Sequence, residues 1–67
     1  MANGRDDGVI FEFISVGAYV KVSAIDVATG IEASIVGNPT SGESALRRTA
    51  LRKLQYVVEK RKSGGRS

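Results

Sequence analysis

The stretch Ala18-Tyr19-Val20-Lys21-Val22-Ser23-Ala24-Ile25-Asp26 decides the fold. Successive side chains of a β-strand point to opposite faces. This run therefore sends Val20, Val22 and Ala24 to one side and Tyr19, Lys21, Ser23 and Ile25 to the other. The first set is small and apolar and fits a core, whereas the second is mixed. Next comes Asp26-Val27-Ala28-Thr29-Gly30, which reads as a hairpin link. An Asp side chain accepts from nearby backbone N–H groups, and Gly30 tolerates a left-handed backbone. Ile31 to Val36 then forms the partner strand, with Ile31, Ala33 and Ile35 opposed to Glu32, Ser34 and Val36.

Upstream, Val9 to Val16 is rich in β-branched and aromatic residues and makes a strand before these two. Val9, Phe11 and Phe13 share one face, and Ile10, Ile14 and Val16 share the other. The link Ser15-Val16-Gly17-Ala18 allows a type II turn with Gly17 at the third position, or a bent continuous strand.

Downstream, the loop from Gly37 to Gly42 holds Pro39 and ends the sheet. Thr40 and Glu43 have the spacing of a capping box, which predicts a helix beginning near Ser41. At 100° per residue, Leu46, Ala50, Leu51, Leu54, Val57 and Val58 fall within an arc of roughly 140°. Arg48, Arg52, Gln55 and Glu59 lie outside it. The expected class is α+β: a three-stranded antiparallel meander followed by one C-terminal amphipathic helix. Residues 9–61 form the single domain. Residues 1–8 and 62–67 are polar and are expected to be disordered.

At 67 residues the chain is close to the smallest size that sustains its own core, since a domain of about 60 residues hides only about 60% of its unfolded surface. It contains neither Cys nor His, so disulfides and the usual zinc and haem ligands are excluded. Association with a second copy is the remaining source of buried area. In a meander the first strand sits at an edge, yet here it is apolar on both faces, which is an aggregation hazard unless covered. A homodimer is expected, joined by strand pairing or segment exchange through Val9, Ile10, Phe11, Phe13, Ile14 and Val16.

Charge is unevenly spread. Before Gly37 two bases face five acids, and from Glu43 onward eight bases face two acids. Two explanations remain open: pairing of helix bases with sheet acids, or a basic surface offered to an acidic partner. Arg48, Arg52, Lys53 and Lys60 are the candidate nucleic-acid contacts. Against this, Glu43 and Arg47 have favourable i,i+4 spacing, and late bases complement the helix dipole. Lys21 is the only base within the three strands, which leaves little for a reader built on the sheet. Tyr56 falls on the polar side of the helix, near Ala45 and Thr49.

Gly37-Asn38-Pro39-Thr40-Ser41-Gly42-Glu43-Ser44 lies between a strand and a helix, as a phosphate-binding loop would. Glu43, however, stands where that loop needs Lys. The seven acids are scattered, and no Ser or Thr has a His to activate it. The expectation is a non-catalytic protein with no cofactor, binding an unknown protein partner or, alternatively, nucleic acid. The opening Met1 to Asp7 lacks the apolar run of a signal peptide, and no segment has the length of a membrane span. The apolar arc of the helix is needed by the sheet, so a membrane-surface role ranks below nucleic acid. The cytoplasm is the expected location.

The run from Val16 to Asp26, with Ser34-Ile35-Val36-Gly37 and Arg52-Lys53-Leu54-Gln55-Tyr56, resembles a family of short, uncharacterised alphaproteobacterial proteins. The likeness covers most of Val9 to Lys60. It implies a bacterial cytosolic origin and the same compact α+β unit, and it brings no activity or catalytic residues.

Overall fold

A computed structural model describes the backbone of residues 2–6 and 8–64 and the side chains of residues 8–62. Strands run over Ala2–Asp6 (β1), Val9–Val16 (β2), Tyr19–Asp26 (β3) and Glu32–Gly37 (β4); a 3-10 turn over Pro39–Ser41 leads into one helix, Glu43–Gly64 (α1). The sheet is antiparallel with strand order β1-β2-β3-β4. The expected meander of three strands followed by a helix is present as β2, β3, β4 and α1.

The N-terminus differs from expectation. Ala2–Asp6 pairs with Val9–Phe13, so β2 has a neighbour on each side and is an interior strand. The edge position expected for β2 is thereby corrected. Strand propensity is mostly a side-chain signal, and Ala2-Asn3-Gly4-Arg5-Asp6 carries no β-branched or aromatic residue. What recruits this segment is the row of backbone donors and acceptors along β2. Gly8, at φ 81°, precedes β2, and its carbonyl accepts a hydrogen bond from Val27 N at 2.9 Å. The other end also runs longer than expected, because α1 extends to Gly64.

Both hairpin links of the meander are tight. Val16 pairs with Tyr19, which leaves Gly17 and Ala18 as a two-residue turn. Gly17 takes the first central position at φ 61°, the conformation that two-residue hairpins require. The turn is thus one residue later than the type II arrangement expected, and the strand does not run through. After β3, Asp26 accepts from Thr29 Oγ1 at 2.6 Å, and Gly30 N donates to Asp26 O at 2.7 Å with Gly30 at φ 76°.

α1 lies across β3 and β4. The core holds Val9, Phe11 and Phe13 from β2, Val22 and Ala24 from β3, Ala33 from β4, and Leu46, Ala50 and Leu54 from α1. Leu51, Val57 and Val58 pack against it. These are the faces that alternation and the helical arc select. Each large side chain so buried contributes about 1.5–3 kcal/mol, which makes the docked helix the main stabiliser of one sheet face.

The entry to α1 is built differently from a capping box. Thr40 Oγ1 donates to Asn38 Oδ1 at 2.8 Å, and Thr40 N donates to the same oxygen at 2.9 Å. Asn38 therefore caps the 3-10 turn and occupies the Thr40 hydroxyl. The helix starts after it, with Leu46 N donating to Gly42 O at 3.1 Å. Glu43 pairs with Arg47 at 3.7 Å, as the i,i+4 spacing predicts.

Candidate functional site

Two surfaces on opposite sides of the domain remain available to partners. The first is the sheet face that α1 leaves uncovered. Alternation places Ile10, Glu12, Ile14 and Val16 of β2 there, together with Tyr19, Lys21, Ser23 and Ile25 of β3 and Glu32, Ser34 and Val36 of β4. The register arranges them in rows across the strands. Ile10 faces Ile25, which faces Glu32. Glu12 faces Ser23, which faces Ser34. Ile14 faces Lys21, which faces Val36, and Val16 faces Tyr19.

The face thus has two apolar patches divided by a polar row. Ser23 is buried, and its hydroxyl shares a 3.0 Å hydrogen bond with that of Ser34. This bond satisfies polar groups that packing against another surface would otherwise strand. Near the β2–β3 turn, Val16, Tyr19 and Val36 are 53%, 57% and 67% exposed around Lys21. Contiguous exposed apolar area of this kind marks an interaction surface more often than scattered single residues do.

The six residues expected at a dimer interface are divided by the fold. Val9, Phe11 and Phe13 lie in the core on the helix side. Ile10, Ile14 and Val16 belong to the uncovered face. Tyr19 and Val36 share that face; the alternation of their strands could have found them, since each falls opposite the core positions.

The second surface is the solvent side of α1. Arg48 and Arg52 are exposed there and make no ion pair or hydrogen bond among the described residues. Lys53 is engaged: its Nζ donates to Ser34 O at 2.8 Å, along the outer edge of β4. Lys60 Nζ stands 5.8 Å from the centroid of the Tyr56 ring, and Tyr56 is an exposed residue. Glu12 and Glu32 face away from α1, so those sheet acids lie on the opposite side from the helix bases. Asp26 lies on the helix side, in the cleft beside Gln55 and Glu59.

A cleft of about 400 Å³ separates the later turns of α1 from the start of β2. Val9, Leu51, Leu54 and Val58 form its apolar lining, with Asp26, Gln55 and Glu59 as its polar groups. The Asp26 carboxylate is taken by Thr29. Among the described residues, no group of three or more His, Cys, Asp or Glu could hold a metal ion. The loop from Gly37 to Ser44 is closed on itself through Asn38, with Ser41 N donating to Asn38 O at 2.9 Å. No helix of the described residues is long and apolar enough to cross a membrane.

These features define a small α+β domain with an antiparallel meander, one docked helix and one bare sheet face. The chain belongs to a family described as a domain of unknown function, DUF6898, whose model matches residues 6–61. No curated protein and no solved structure matches it.

Proposed function

We propose that this protein is a non-catalytic homodimeric interaction module whose two copies meet through the uncovered sheet faces. The observation that carries this reading is the group Val16, Tyr19 and Val36, large apolar side chains more than half exposed on one face around Lys21. A second copy is the occupant that the charges favour. Glu12 and Lys21 occupy adjacent rows of the same face, so a two-fold axis between them brings each Lys21 to the partner's Glu12. An isologous interface requires such self-complementarity.

Sheets packed face to face keep their strand directions within about 30° and interdigitate side chains about 10 Å apart. Such packing leaves β1–β4 intact in each chain, whereas pairing through the edge of β2 would require β1 to leave. The module is taken to work in the cytoplasm of a bacterium, in keeping with the family resemblance above.

Light scattering on the eluting protein tests this reading. The expected result is twice the chain mass at micromolar concentration, falling to a single chain in Val36→Lys and in Tyr19→Lys, with circular dichroism unchanged. A single-chain mass for the unaltered protein overturns it.

A further inference from the structure

We propose that the solvent side of α1 binds single-stranded nucleic acid along the row Arg48, Arg52, Tyr56 and Lys60. The row is independent of the dimer reading, because it lies on the side of the domain opposite the bare sheet face.

Residues four apart in a helix stand one above another, at a rise of 1.5 Å per residue. The row therefore advances in steps of about 6 Å along the axis, spans about 18 Å of its length and winds through about 120° between Arg48 and Lys60. It presents three cations and one aromatic ring. Arg48 and Arg52 have no partner among the described residues to satisfy their guanidinium groups. Tyr56 is 63% exposed as a residue even with Lys60 Nζ 5.8 Å from its ring centroid. Cations flanking an exposed aromatic suit a single strand: phosphates pair with the Arg and Lys side chains, and one unpaired nucleobase stacks on the ring.

Two other ligands fit less well. In a duplex the base faces are already stacked, so Tyr56 would gain nothing from its ring. A membrane surface calls for an apolar side on the helix, but Leu46, Ala50 and Leu54 are buried against the sheet. Glu59 lies beside the row, three residues beyond Tyr56, and has a partner of its own.

Fluorescence anisotropy with a labelled single strand of about 16 nucleotides tests the proposal. Three phosphate contacts give a logarithmic salt slope of about −2, hence about a 20-fold loss of affinity between about 50 and about 200 mM salt. Arg48→Ala and Arg52→Ala should each make that slope shallower by about 0.7. Tyr56→Ala should weaken binding about 5- to 160-fold, whereas Tyr56→Phe keeps the ring and the affinity. The proposal is overturned by no binding at about 50 mM salt, or by a Tyr56→Ala protein that binds as tightly as the parent. Equal affinity for a duplex, for anionic phosphatidylserine vesicles or for polyglutamate overturns it as well.

Discussion

The guanidinium carbon of Arg47 lies 5.2 Å from the centroid of the fully buried Phe11 ring, so a helix cation covers an aromatic of the interior strand β2. The same side chain reaches Glu43 at 3.7 Å, while its Nε is buried without a hydrogen-bond partner. The stem and planar head serve as packing as much as charge. Arg47→Ala should cost about 1–2 kcal/mol in urea denaturation at fixed protein concentration. Glu43→Gln should cost under about 0.5 kcal/mol, because the pair is exposed. Equal costs would show that the ion pair, and not the ring contact, holds Arg47.

Gly37 ends β4 where Leu46 passes over it, and a Cβ built on Gly37 would overlap Leu46 Cδ2. Leu46 is buried, so it has little room to turn aside. Gly37→Ala should destabilise by about 1–3 kcal/mol through overpacking. In a Leu46→Ala background the same change should cost much less. A full cost in both backgrounds, read as a double-mutant cycle, would place the penalty in the backbone instead.

Gly17 holds φ at 61° in the two-residue turn between β2 and β3, and the space around its Cβ position is open. Substitution there is strained by the backbone alone. Gly17→Ala should lower stability by about 1 kcal/mol, and Gly17→Asn by less, since Asn tolerates the left-handed region. A D-alanine placed there by chemical synthesis should raise stability by about 0.4–1 kcal/mol through the unfolded chain. Thermal unfolding of the three proteins checks the order.

Lys53 guards the outer edge of β4 by donating to Ser34 O at 2.8 Å. Edge strands present unpaired backbone groups to other chains, and lysines deter such pairing. Lys53→Ala should change stability by less than about 0.5 kcal/mol while shortening the lag before thioflavin-positive aggregates form under mildly destabilising conditions. Lys53→Arg should keep the parent's lag. An Ala variant with an unchanged lag would remove the guarding role.

The meander and the helix are legible in the sequence because their signals are carried by side chains with a period. Val20, Val22 and Ala24 alternate with polar neighbours, and Leu46, Ala50 and Leu54 recur at helical spacing. β1 escapes such reading because its pairing rests on the backbone of β2 and its own residues carry no pattern. The cap is misread for a related reason. Thr40 and Glu43 have the right spacing, but Asn38 is closer in the chain and captures the Thr40 hydroxyl first. At the candidate surfaces, Ile10, Ile14 and Val16 are legible from alternation alone. The burial of Val9, Phe11 and Phe13 on the helix side decides which half of β2 is left on the uncovered face, and this requires knowing which face of the sheet the helix covers.

The order of strands in the sheet follows the order of synthesis, since each strand lies beside the one that precedes it in the chain. A chain leaving the ribosome can close this sheet hairpin by hairpin, with the small closure costs of short links. The helix follows the sheet in the chain. Until Leu46, Ala50 and Leu54 dock, the core side of the sheet, Phe11 and Val22 included, has nothing to cover it. A species with the sheet closed and the helix undocked leaves both sheet faces bare, and transiently exposed apolar surface of that kind is what makes folding intermediates prone to aggregate.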